Sequence, residues 1–153
     1  MNPRPQATKN GGLQQSQQPL FPSPLEPIYV AIDFERTGFI INNFGPRSDT
    51  QVGISILDTR DLNLLSWKKA LSLATYNFVT GSDLYCAESA EKCLWGTSEK
   101  ISPRSMLKTV RKYARRDRNI VLVGHGFGGD LAVLSSLGFD FQASVIGILD
   151  TAN

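Results

Sequence analysis

The stretch LVGHGFGGDLAVL, residues 122–134, constrains this chain more than any other. An apolar run, IVLVG, ends at Gly124, and four glycines between positions 124 and 129 turn the backbone before a second apolar segment begins at Asp130. A short β-branched run bounded by glycine reads as a buried strand. The segment GGDLAVLSSLG reads as a helix that Gly138 can end. A strand that feeds a helix through a tight glycine turn belongs to α/β folds, whose ligands lie at the carboxyl ends of the strands.

Three chemistries use such an elbow, and two are excluded. In a hydrolase elbow of the form G-x-S-x-G the nucleophile position falls on Gly126, which has no side chain to attack with. His125 is the sole histidine and cannot be both elbow neighbour and catalytic base. A phosphate-binding loop needs a lysine after its glycines, and none follows here. A dinucleotide fingerprint fails as well, because Asp130 stands where a pyrophosphate would meet the helix N-terminus. A carboxylate there repels phosphate unless a cation lies between them, and that leaves an acidic group held for a cation.

A second acidic element lies upstream. IYVAIDF, from residue 28, reads as a strand that ends in the acidic segment DFERTG. Alternate strand residues share a face, so Asp33 and Glu35 project together while Phe34 points into the core. Asp130 opens the helix after a strand expected beside this one, so three carboxylates should converge at one edge. Like charges in close proximity are unfavourable unless protonated or neutralised, and a hard divalent cation with oxygen ligands resolves that conflict. Taken singly the features are ordinary: D-x-E after a strand is common loop charge, and Asp130 suits a first helical turn. A lone histidine is more often a packed, hydrogen-bonded residue than a base. Their placement on two strands is what points to a site.

The remaining pattern places these segments in one domain. Residues 1–27 are rich in Gln, Asn, Pro and Gly and read as a disordered tail closed by FPSPLEP. Residues 28–153 have room for a single core. TQVGISILDT and LSLATYNFV read as strands two and three, IVLVG as strand four and SVIGILD as strand five. SPRSMLKTVRKYARRDRN is the strongest helix, with Ser102 to cap it and Pro103 in its first turn. Residues 80–102 show no clear period and read as loop with a short helix. The order β-β-β-α-β-α-β predicts an α/β fold with a mixed five-stranded sheet in the order 3-2-1-4-5. Strand two should be antiparallel to strand one, and strand one central.

With 41% hydrophobic and 20% charged residues, the composition is that of a globular domain. The first twenty residues have no apolar core for a signal peptide, and no apolar run is long enough for a bilayer, so an intracellular location, cytoplasmic or nuclear, is expected. Two cysteines and one histidine assemble no zinc set, and two reduced thiols are the expected state.

YVAIDFERTG resembles the first motif of DEDD-type 3′-5′ exonucleases of the ribonuclease H-like superfamily, in which a strand carries D-x-E. LVGHGFGGDLAVL resembles their second motif, G-H-N-x-x-F-D-x-x-x-L, with Gly126 in place of the usual Asn and Gly129 in place of the usual Phe. VGHGFGGDL, LGFD, ILDT and LWGTSEKIS are most similar to a mostly fungal group related to an mRNA-export-related factor. The resemblance covers about residues 28–151. It implies a ribonuclease H-like fold and a metal-dependent nuclease acting on RNA or DNA. Asp33 would bridge two Mg²⁺ or Mn²⁺ ions, with Glu35 and Asp130 completing the coordination. Two such ions, roughly 3.5–4 Å apart, serve phosphodiester hydrolysis by activating water and stabilising the leaving oxygen. Thr37 and Gly38 would shape the loop where a terminal nucleotide sits.

The family's third motif, H-x-x-x-x-D in a final helix, supplies the general base and a fourth carboxylate, and the 153 residues do not contain it. Asp150 matches a strand end and is left out of the ligand set. The chain therefore reads as a C-terminally truncated domain, either a fragment or a disarmed nuclease fold. Without that last helix, Val145, Ile146 or Ile148 of strand five should face water. Two functions follow as expectations: a metal-dependent exonuclease, impaired in these 153 residues, or a non-catalytic module that binds RNA or protein. Of the 16 basic residues, seven lie between Arg104 and Arg118. Six of them, Arg104, Lys108, Arg111, Lys112, Arg115 and Arg116, share the polar side of the strongest helix. That stripe suits nucleic acid, but it reads more simply as a solvated outer face.

Overall fold

Strand β1, Ile28–Glu35, alternates as its sequence requires. Ile28, Val30, Ile32 and Phe34 are buried, while Asp33 and Glu35 are exposed on the other face. This is seen in a computed structural model of the protein, which describes residues 26–41, 49–64, 73–114 and 117–152. Residues 1–25 of the expected tail, 1–27, and Arg115 and Arg116 lie outside the described residues.

Among the described residues six strands form one sheet in the order β4-β3-β2-β1-β5-β6. Strand β2 (Thr50–Asp58) pairs antiparallel with β1, and β3 (Ala74–Thr80) antiparallel with β2. Strand β5 (Ile120–Gly124) runs parallel to β1, and β6 (Val145–Asp150) parallel to β5. The five expected strands thus keep their expected order, with β1 central. The sixth, β4 (Thr97–Lys100), adds to the edge by pairing parallel with β3. Its sequence, TSEK, has no apolar alternation, so only the ladder to β3 makes it a strand. It lies in the region expected to be loop, as does helix α3 (Asp83–Lys92), which buries only Ser89 and so shows no apolar stripe.

Two short helices, α1 (Gly38–Ile41) and α2 (Thr59–Leu64), follow β1 and β2. The strongest predicted helix is α4 (Met106–Tyr113), entered through a 3-10 turn at Pro103–Ser105. Ser102 precedes that turn, and its hydroxyl bonds the Ser105 hydroxyl at 2.7 Å without capping a backbone N–H. Helix α5, Gly128–Ser136, is followed by Gly138 in the left-handed region at φ 74°. Met106 and Val110 of α4 and Val133 and Leu134 of α5 pack with the apolar face of β1 into one core. Arg104, Lys108, Arg111 and Lys112 are exposed. Arg111 donates to the Gly138 carbonyl at 2.9 Å, as a residue of a solvated outer face does. No helix among the described residues is long and apolar enough to cross a membrane. Cys86 and Cys93 are free thiols.

The opposite face of the sheet carries Ala31, Asp33, Gly53, Ser55 and Thr75, which line an open cleft of about 480 Å³. At the far edge Ile146, Ile148 and Leu149 of β6 are exposed, whereas Val145 packs against the core.

A buried ion pair closes the end of the sheet away from the acidic edge. Arg118, only 8% exposed, places two guanidinium nitrogens on Asp58 at 3.0 and 3.1 Å and donates to the Glu26 carbonyl at 2.8 Å. Arg60 also grips Asp58. Together the two arginines, Arg60 first, hold the Asp58 carboxyl well below the usual carboxylate range. A depressed carboxyl stabilises the fold above its ordinary range, and that contribution is lost as the pH falls through it. Replacing Arg118 with Ala leaves Asp58 with one partner and strips the Glu26 carbonyl of its donor. We expect Arg118→Ala to cost about 2–3 kcal/mol, read as a lower urea midpoint, with a shallower loss of stability on acidification.

Candidate active site

The acidic edge is built where the β1–β5 ladder stops. Their parallel register ends at Ala31 opposite Val123, because β5 leaves the sheet at Gly124 while β1 runs on to Glu35. The Phe34 N–H lies beyond the ladder, and the Asp130 carboxylate accepts it at 2.8 Å. Asp130 stands in the first turn of α5, where negative charge also favours the helix. It is buried, at 8% exposure.

That burial raises the proton affinity of Asp130 above the usual carboxylate range, against the Phe34 N–H, which lowers it, and the negative charge of Asp33 raises it further. The structure therefore brings Asp33 and Asp130 within electrostatic reach of each other. Hard oxygen donors whose charges oppose each other fit a divalent cation in their chemistry. The full expected set is not gathered, however. Among the described residues no three His, Cys, Asp or Glu side chains are grouped to hold a metal ion. The reason lies in the two layers: Asp130 reaches the strand edge from the helical side, whereas Asp33 and Glu35 project from the open face.

The loop after β1 has features the sequence did not reveal. Arg36 has φ 59°, a left-handed conformation that costs a non-glycine residue roughly 1–2 kcal/mol. Its guanidinium lies 4.6 Å from the Tyr85 ring centroid, on α3, and 3.9 Å from Asp49. Asp49 also accepts from the Ser82 backbone N–H at 2.9 Å, so β1, the start of β2 and α3 are tied together beside Glu35. Thr37, half-buried, accepts through its carbonyl from the Ile40 N–H at 2.9 Å. Gly38 is exposed, and a side chain there would meet nothing within 4 Å. Both therefore lie in an open turn next to Glu35.

The glycine elbow has a tight interior. A Cβ on Gly124 would lie 2.0 Å from the ring of Phe127, which is fully buried. Gly126 is left-handed at φ 62°. Asn tolerates that conformation better than most residues, so the Asn of the motif this segment resembles would fit the same turn. Asp150 fixes the turn from β6, accepting from the Gly126 and Phe127 N–H groups at 2.8 and 2.9 Å and from Ala152 at 3.0 Å. Those donors pull its carboxyl below the usual range, the Ala152 N–H foremost. His125 Nδ1 lies 3.1 Å from the Thr151 hydroxyl, on the rim of the cleft that Asp33 also lines. Asp150 and His125 thus brace the elbow.

Residues 28–153 match the family described as DNA polymerase III subunit epsilon-like, C-terminal domain. No curated protein matches the chain.

Two outcomes follow from this geometry. Between the ordinary carboxylate range and the raised value of Asp130, the folded chain binds more protons than the unfolded one, so this group costs stability as the pH rises. Asn at position 130 can accept the Phe34 N–H without charge. The Tm of Asp130→Asn relative to the wild type should therefore climb from about pH 4 to pH 7, and a constant offset would contradict the buried charge. Gly124→Ala drives a methyl into Phe127 and should cost at least about 1–3 kcal/mol in chemical denaturation.

Proposed function

The chain belongs to the family described as DNA polymerase III subunit epsilon-like, C-terminal domain, a DEDD-type exonuclease family of the ribonuclease H-like superfamily, and on that premise we propose that residues 28–153 form a 3′-5′ exonuclease-type domain that acts on RNA or DNA with Mg²⁺ or Mn²⁺. The observation that carries this reading is the Asp130 carboxylate, anchored to the Phe34 N–H between Asp33 and Glu35. It places the two acidic elements of the chain side by side at the carboxyl end of β1.

Asp33, Glu35 and Asp130 would hold the cations, which supply an activated water and stabilise the leaving oxygen of a phosphodiester. Asp130 is held by its backbone donor, so ligation would require Asp33 and Glu35 to turn towards it from the open face. Thr37 and Gly38, in the open turn beside Glu35, would border the terminal nucleotide. The walls of the 480 Å³ cleft, with Asp33 and His125 in its lining, leave room for a strand on that face.

The 153 residues contain one histidine, and it braces the elbow against Thr151. His125 stands five positions before Asp130 in the second motif, and the 153 residues hold no second histidine to take the proton from water. We expect these residues alone to hydrolyse single-stranded RNA or DNA very slowly, since general-base catalysis contributes roughly 10²–10⁴-fold.

Calorimetry with Mn²⁺ should show weak binding to the wild type and none to Asp33→Ala. Equal binding by both would place the metal elsewhere. A longer chain carrying H-x-x-x-x-D after residue 153 should release nucleotides from a 3′ end with Mg²⁺, and Asp33→Ala should abolish that release. An ordinary rate in the 153-residue chain that survives Asp33→Ala would sink the exonuclease reading. RNA binding without cleavage in either form would favour a non-catalytic module instead.

A further inference from the structure

Beyond the acidic edge, Trp95 stands out among the described residues as a large aromatic side chain left exposed. Trp95 is 74% exposed, beside Leu94 at 78% and Leu73 at 51%. Its backbone is nevertheless fixed. Gly96, at φ 88°, lies so close to β3 that a Cβ would come within 2.2 Å of the Thr75 carbonyl oxygen. Strand β4 begins at the next residue, with Thr97 opposite Tyr76. The Cys93 thiol donates to the Trp95 carbonyl at 3.1 Å. A rigid backbone thus holds an indole out towards solvent.

The indole is not remote from the acidic edge. Asp33 and Trp95 line the same cleft of about 280 Å³, together with Gln51, Asn77 and Lys92. A wider hollow of about 720 Å³, lined by Leu73, Leu94 and Trp95, continues it along the sheet. The cleft combines a planar apolar wall, amide groups on its floor, an ammonium at its rim and a carboxylate at its far end. Its complement is a flat apolar ring with polar edges, attached to an anionic backbone. The Asn77 amide is held by the Ser98 hydroxyl at 2.9 Å, so the Gln51 amide is the one that a purely apolar partner would leave unanswered.

We propose that Trp95 is a stacking platform for an unpaired base of a nucleic-acid strand whose backbone runs along the open sheet face towards Asp33. This rests on the nucleic-acid reading above and adds to it a subsite and a residue. Base–aromatic stacking is sequence-tolerant because every base has a π-face, so Trp95 contributes affinity for single strands of any sequence. Lys92 lies where it can meet a phosphate of the same strand.

The test uses the 153-residue chain with fluorescein-labelled twelve-nucleotide oligo-dT and oligo-rU, in EDTA so that nothing is cut, followed by anisotropy. Trp95→Ala should weaken binding about tenfold, with an unchanged circular-dichroism melt because the side chain is exposed. Trp95→Phe should restore most of the affinity. Asp33→Ala should bind at least as tightly as the wild type. If the wild type binds and Trp95→Ala binds within a factor of two of it, the stacking assignment fails while the nucleic-acid reading stands. If the wild type binds neither oligonucleotide, both fall together. If Trp95→Ala leaves oligonucleotide binding intact but abolishes self-association in sedimentation, the indole belongs to a contact between two copies, and the proposal is overturned.

Discussion

The hydrogen bond from the Phe34 N–H to Asp130 is the contact on which the candidate site depends. Strand β5 must leave the sheet at Gly124 for α5 to pack on the core, and its departure ends the ladder along one edge of β1. A buried N–H left without a partner costs about 1–3 kcal/mol. Asp130 supplies the acceptor. The same bond fixes the start of α5 against β1, so the acidic strand end and the acidic helix start become neighbours. One carboxylate thus completes the backbone accounting of the sheet and gives the edge its charge.

That double role has an energetic conflict built into it. Asp130 is buried and faces the charge of Asp33, and both effects resist its ionisation. A side chain chosen for stability alone would accept the same hydrogen bond without charge. The elbow below it is built the other way, for rigidity. Phe127 fills the space that a side chain on Gly124 would need. Asp150 collects the backbone donors of the turn at little cost, because it lies near solvent. Strain and repulsion therefore sit at Arg36, Asp33 and Asp130, while the residues that merely support them are relaxed, a distribution common at functional sites.

Much of the fold was legible because its strands advertise their burial. The alternation of Ile28, Val30, Ile32 and Phe34, the β-branched run at 120–123 and the glycine stops at 124 and 138 each report a local requirement. The order of the strands then follows from short antiparallel connections and helical crossovers. What stayed hidden were elements whose form comes from partners far away in sequence. TSEK becomes β4 only by pairing with β3, and α3 buries a single serine. The grip of Arg118 on Asp58 spans 60 positions and leaves no periodic trace.

At the site the division is similar. The sequence by itself determined which side chains are acidic, that Asp33 and Glu35 share a face, and that Asp130 opens a helix after a neighbouring strand, because strand and helix periods fix those relations locally. Only the tertiary structure decided that Asp130 turns onto the Phe34 N–H and is not gathered with both other carboxylates. It alone decided that Arg36 is left-handed, that Asp150 and His125 brace the elbow, and that Trp95 shares a cleft with Asp33. These outcomes depend on where a ladder ends and which layer a side chain approaches from. Both are set by packing between segments that are distant along the chain, and no local pattern encodes them.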